Sequence, residues 1–220
     1  MRELDIWAVV PVKDTTAAKQ RLATAAPAAF RQALALAMLE DVLAALVQVR
    51  GIAGRLLVTT DPDAIKLAAR YEAHCLEDGA ADGHTGAVMA AGRRLVREGR
   101  SGMMTLPGDV PLVTADEISQ LLAEHLPAPA FTIAPSHDKQ GSNAIILSPP
   151  DTVPLRFGDD SYYPHLAAAE ARGIKPTIVP LPGIAFDIDN PEDLKRFAAL
   201  GSDTRAGRLV AENAGMIEDI

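Results

Sequence analysis

The chain has 220 residues, 48% of them hydrophobic and 23% charged, which leaves room for one large domain or two small ones and excludes a wholly disordered polymer. With 21 Lys and Arg against 29 Asp and Glu the net charge is −8, the wrong sign for coating nucleic acid. No uncharged apolar run reaches the roughly 18 residues of a membrane span, and Met1 to Asp5 lacks the basic-then-apolar pattern of a signal peptide, so a cytoplasmic protein is expected.

Leu4 to Val10 is a short apolar run stopped by Pro11, which reads as a buried strand feeding a loop. An Ala- and Leu-rich stretch from Ala28 to Val49 has helical spacing and ends before Gly51, and Arg55 to Thr60 is again rich in β-formers. Asp61-Pro62 opens a helix through Arg70. A short apolar step follows at Cys75-Leu76, and the Gly-containing segment 79–86 introduces a helix to about Glu98. Met103 to Leu106 reads as a strand ending at Pro107-Gly-Asp109, and Thr114 with Glu117 forms a capping box for a helix to His125.

Ala130 to Ala134 and Asn143 to Leu147 flank the polar turn 136–141 as a hairpin. A helix is predicted from Ser161 to about Arg172, then a strand around Pro176 to Val179, and Phe186 to Asn190 leads through Pro191 into a helix from Glu192 to Leu200. These elements make one domain over residues 1–200, followed at 201–220 by a polar, loosely attached tail. The alternation predicts an α/β fold: a mostly parallel central sheet, helices on both faces and a β-hairpin insertion.

In such sheets ligands bind outside the carboxyl ends of the strands, which selects the loops 11–21, 107–111 and 186–190. The first carries Lys13, Lys19 and Arg21, cations suited to a polyphosphate, although each taken singly reads as solvated surface. No G-x-x-x-x-G-K-[ST] or G-x-G-x-x-G supports a P-loop or dinucleotide-binding protein. Asp109, Asp187 and Asp189 offer three hard oxygen ligands of the kind Mg²⁺ takes together with phosphates and waters. The same residues also suit a turn and a helix cap. Cys75 stands alone, so there is neither an internal disulfide nor a cysteine zinc cage. In Phe157-Gly-Asp-Asp-Ser-Tyr-Tyr-Pro-His165, Gly158 permits close backbone approach and Ser161 lies at a helix start, where free N–H groups favour an anion.

Ala8-Val-Val-Pro-Val-Lys13 with Lys19-Gln-Arg-Leu22, Leu106-Pro-Gly-Asp-Val-Pro-Leu112, Ala134-Pro-Ser with Gly141-Ser-Asn-Ala144, Phe157-Gly-x-x-Ser161 with His165, and Phe186-Asp-Ile-Asp-Asn-Pro-Glu-Asp-Leu194 occur in that order over residues 5–200. Together they resemble the CofC/FbiD family, guanylyltransferases of deazaflavin coenzyme F-420 biosynthesis. The resemblance implies a glycosyltransferase-A-like nucleotidyltransferase fold. It also implies transfer of GMP from GTP to 2-phospholactate, phosphoenolpyruvate or 3-phosphoglycerate, with release of pyrophosphate. Carried over by motif, Asp109, Asp187 and Asp189 would hold Mg²⁺ or Mn²⁺, and Ser142, Gly158 and Ser161 would bind the phospho-acid. Lys13, Lys19 and Arg21 would grip the GTP phosphates, and His165 would support the acceptor site as a hydrogen bonder rather than a proton carrier.

This chain departs from the family pattern twice: Ser142 stands where many relatives have Thr, and Gly83-His-Thr-Gly-Ala87 stands where a Leu-Asn pair is usual, near the expected base site. A nucleotidyltransferase for a sugar phosphate or molybdopterin would not need Phe157-Gly-x-x-Ser161. A GTP-sensing module without activity would follow if the three aspartates lay too far apart to share a metal. The expected partners are small molecules, neither nucleic acid nor a membrane, and a homodimer stays open.

Overall fold

The structure is a computed structural model that describes residues 5–158 and 160–217. Its elements are β1 (Ile6–Pro11), α1 (Ala28–Gln48), β2 (Ile52–Val58), α2 (Pro62–Arg70), β3 (His74–Leu76), α3 (Gly83–Arg97), β4 (Gly102–Thr105), α4 (Ala115–Ala123), β5 (Ala130–Pro135), β6 (Ser142–Ser148), α5 (Tyr162–Glu170), β7 (Thr177–Ile178), α6 (Pro191–Ala199), α7 (Arg205–Glu212) and α8 (Ala214–Ile217). The expected start of the first strand at Leu4 lies outside the described residues.

The strands form one sheet in the order β3-β2-β1-β4-β6-β5-β7, in which only β6 runs antiparallel to its neighbours. Alternation along β1 explains its two buried faces. Ile6, Ala8 and Val10 point into a core closed by α1, α2 and α4, while Trp7 and Val9 point into a second core closed by α3 and α5. The predicted hairpin is β5-β6, and its second strand wedges between β4 and β5 in the sheet. Asp61 caps α2 through the N–H groups of Asp63 and Ala64, and the Thr114/Glu117 capping box opens α4 as its sequence predicts.

Residues 201–217 differ from the loose tail expected over 201–220. Thr204 caps α7, whose Ala206 and Val210 are buried with Phe30, Leu34 and Met38 of α1 and Leu194 and Phe197 of α6 in a third core. The Asp41 carboxylate of α1 accepts from the N–H groups of Arg205 and Ala206 at 2.9 Å each, satisfying two otherwise orphaned donors of the helix start. Residues 218–220 lie outside the described part. Among the described residues no helix is long and apolar enough to cross a membrane.

Candidate active site

The loops after β1 and β4, the start of β6, residues Phe157, Gly158 and Ser161, and Asp187 and Asp189 enclose one cleft of about 800 Å³, large enough for a nucleotide and a small second substrate. All the residues singled out from the sequence line it except His165.

On one wall the Lys19 ammonium bridges two carboxylates, 2.7 Å from Asp109 Oδ2 and 2.9 Å from Asp189 Oδ1. Lys19 has a left-handed backbone (φ 51°), and its turn is held by the buried Arg31 of α1, which donates to the carbonyls of Ala18 (2.9 Å) and Lys19 (3.4 Å). The start of the same loop is pinned by Asp61, whose second carboxylate oxygen accepts from Thr15 N–H (2.8 Å) and Thr15 Oγ1–H (2.6 Å). Burial pulls the Lys19 pKa down, but the charges of Asp109 and Asp189 outweigh it and hold the ammonium well above the usual lysine range. Burial pushes the Asp109 carboxyl up, and Lys19 more than reverses this, leaving it below the usual range.

Backbone pairing brings the last acidic segment to Asp109, since Ile188 N–H donates to the Asp109 carbonyl at 3.3 Å. Asp187 accepts from Asn143 Nδ2 at 3.1 Å, and Asn143 is itself anchored on the Ile184 carbonyl. Burial, then the charge of Asp109, pushes the Asp187 carboxyl up to about 6. A carboxyl raised in the folded state binds its proton more tightly there than in the unfolded chain. Ionised Asp187 therefore costs stability as pH rises through about 6, and that cost is absent near pH 4. Asp187→Asn is expected to raise the melting temperature at pH 7.5, by about 1–3 kcal/mol of stability, and to leave it unchanged at pH 4. Melting curves of both proteins across this interval check it, and a constant difference would reject the buried-acid origin.

The three-carboxylate metal set expected from the sequence is not assembled. Among the described residues no group of three or more acidic, histidine or cysteine side chains is placed to hold a metal ion, and Lys19 lies between Asp109 and Asp189. Asp109 and Asp187, mutually repelling and backed by a single side-chain amide, do suit a hard cation that draws its remaining ligands from phosphates. Lys19 is likewise committed to the acids rather than extended toward a triphosphate. Lys13 is exposed on the lining, without a carboxylate partner among the described residues, and Arg21 is 68% exposed, 3.9 Å from Asp189 Oδ2.

The opposite wall carries hydroxyls. Ser142 Oγ lies 3.4 Å from Ser161 Oγ, and Gly158, at φ 149°, turns the backbone in a conformation that side chains resist. The expected cluster of free amides at the start of α5 is not there, because Tyr162 N–H donates to the Gln140 carbonyl and Pro164 has no N–H. The Ser161 side chain makes no capping bond either. His165 sits behind Ser142, buried, with Nδ1 2.9 Å from Ser142 Oγ.

Sequence reasoning assigns no role to Asn143, although it lies inside a quoted motif, nor to His84 and Thr85. His84 packs at a tilt against Phe157 with ring centroids 4.2 Å apart, and Thr85 Oγ1 accepts from Phe157 N–H at 2.9 Å, which ties the start of α3 to the hydroxyl wall.

A mostly parallel sheet whose carboxyl edge opens on facing cationic, acidic and hydroxyl groups fits a nucleotidyltransferase. The chain belongs to the family described as guanylyl transferase CofC like, which matches residues 6–212. It is 34% identical over 218 residues to phosphoenolpyruvate guanylyltransferase of Conexibacter woesei, covering 99% of this chain and 97% of that one. It is 31% identical to 3-phospho-D-glycerate guanylyltransferase of Colwellia psychrerythraea, covering 88% and 91%. A solved chain from Desulfovibrio desulfuricans, provisionally named a nucleotide-diphospho-sugar transferase, superposes with a TM-score of 0.76 at 17% identity over 98% of each chain, a likeness of fold.

Proposed function

We propose that the protein transfers GMP from GTP to the phosphate of a small phosphorylated carboxylic acid, phosphoenolpyruvate before 3-phosphoglycerate or 2-phospholactate, in coenzyme F-420 biosynthesis. The observation that carries this reading is the pairing, across one cleft, of an acid-and-cation wall with a hydroxyl wall at Ser142 and Ser161. The names of the relatives support the donor and the acceptor class. An oxygen of the acceptor phosphate attacks the α-phosphorus of GTP, a new P–O bond forms, and the bond to the leaving pyrophosphate breaks. The acceptor is already anionic at neutral pH, so the residues need only align it and stabilise charge.

Lys13 and Arg21 meet the triphosphate. Asp109 and Asp187 would hold Mg²⁺ or Mn²⁺, which supplies charge stabilisation at the transferring group when bound. Lys19 limits the excess negative charge of that wall, while Ser142 and Ser161 donate to the acceptor. A pyrophosphate-release assay crossing GTP, ATP and CTP with the three acids and with a sugar phosphate tests the reading. Release only with GTP and a phospho-acid is expected, and release with the sugar phosphate alone overturns it.

Because Ser161 caps nothing, Ser161→Ala is expected to lower kcat/KM for the acid by about ten- to a hundredfold with an unchanged melting temperature. Acceptor saturation and a melting curve on the same preparation check this, and a lowered melting temperature with intact kinetics would return Ser161 to the fold.

A further inference from the structure

His165 has its ring orientation and its proton fixed from outside the cleft. Its Nε2 is 2.9 Å from the backbone N–H of Arg156, a donor that cannot become an acceptor, so Nε2 must accept. In the neutral ring the proton then belongs to Nδ1, which lies 2.9 Å from Ser142 Oγ and donates to it. Ser161 Oγ lies 3.4 Å from the same oxygen, too far to commit its proton there. One lone pair of Ser142 is thus held by the ring N–H, which cannot accept in return, and the Ser142 proton is left for the cleft that it lines.

We propose that His165 is a positioning residue that, as the neutral Nδ1–H tautomer, keeps the Ser142 proton free to be donated to the anionic acceptor. The inference rests on the reading of Ser142 as a contact of the phospho-acid. A serine free to rotate presents either a lone pair or a proton, and a lone pair repels a phosphate or carboxylate oxygen. A ring accepting at Nδ1 would draw the proton away from the cleft; the donating ring leaves it available before the substrate arrives. An imidazolium would set N–H against N–H at Arg156, and burial favours the neutral ring as well, pushing its pKa down to about 4. Phe157 packs edge-on to the imidazole, with ring centroids 5.0 Å apart, and helps keep it from turning over.

Nitrogen-15 NMR of the wild-type imidazole at pH 7 is expected to show a protonated Nδ1 and a bare Nε2. The opposite tautomer, or a doubly protonated ring, overturns the proposal without touching the reading of Ser142. In steady-state kinetics, His165→Phe is expected to raise KM for the phospho-acid about tenfold with KM for GTP unchanged. His165→Asn, which keeps an N–H near Ser142, should recover most of that loss. Equal rises in both KM values, or no recovery in the Asn variant, reject the positioning role. Ser142→Ala separates the two levels: an unchanged acceptor KM removes Ser142 from the site and the proposal with it. A raised KM there, beside an unaffected His165→Phe, removes the proposal alone. Should the Phe variant fail to fold, the tautomer seen by NMR and the acceptor KM of the Asn variant still support or reject the positioning role.

Discussion

Asp109→Asn is expected to lower turnover at least a thousandfold while the protein stays folded. Asp109 lies in the loop after β4, where three roles meet. It neutralises Lys19 at 2.7 Å, it repels Asp187, and it is the proposed ligand of the divalent ion. The amide keeps the shape and one acceptor but removes the charge. Charge stabilisation of a transferring phosphoryl group is worth several kcal/mol, and about 4 kcal/mol corresponds to the factor of a thousand. Stability should change little in comparison, because Lys19 retains Asp189 at 2.9 Å and Asp187 is relieved of a repelling neighbour. Pyrophosphate release and a melting curve, each with and without Mg²⁺, give the test. Full activity in the variant, or in wild type with excess chelator, would remove the metal from the reaction.

Lys19→Met should impair both folding and activity. The lysine side chain is 10% exposed and its carboxylate partners 31% and 44%, so the loss is smaller than the roughly 3–5 kcal/mol of a fully buried pair, about 2 kcal/mol at pH 7.5. The wild-type contribution of Lys19 is complete throughout neutral pH, because its raised pKa lies far above it. In the variant the acids are left to repel one another. The deficit is therefore greatest above pH 7 and narrows toward pH 5, as Asp187, already at about 6, takes up its proton. Mg²⁺ should raise the melting temperature of the variant more than that of wild type, since the ion would replace the missing cation. An equal rise in both would show that Lys19 and the ion do not act on the same carboxylates. Activity is expected to fall on the order of a hundredfold, with misplacement of Asp109 as the cause.

The sheet is legible in the sequence because Pro11, Gly51, Pro62, Pro107 and Pro191 mark the turns between apolar runs, and Asp109 follows a strand end by sequence alone. The convergence of Lys19 on Asp109 and Asp189 is not legible, since it joins residues 90 and 170 positions apart and depends on a left-handed turn that Arg31 holds from another element. The helix α7 reads as a polar tail because Arg205, Arg208 and Glu212 dominate its composition. Its signal is present in the Thr204 cap and the spacing of Ala206, Leu209 and Val210, too short a stripe to stand out without the Asp41 carboxylate that receives it. The hairpin is predicted, but nothing local says which of its strands enters the sheet beside β4.

That hairpin carries an irregularity at its entry. Ala134 pairs with Ala144 but Pro135 pairs with Ser142, so Asn143 is an extra residue in β6. In strict alternation Ser142 would share the face of Ala144 and Ile146, whose core contains Ile184, and Asn143 the face of Ile145 and Leu147, whose core contains α5. The extra residue exchanges them: Ser142 reaches His165 of α5, and Asn143 reaches Ile184 and Asp187. Two adjacent letters of the sequence thus serve opposite sides of the sheet, one on the hydroxyl wall proposed for the acceptor and one bracing the acids. Acceptor preference can accordingly be re-engineered at position 142 and its α5 neighbours without disturbing the acid wall, whereas deleting a single residue here would trade the two duties and cost both.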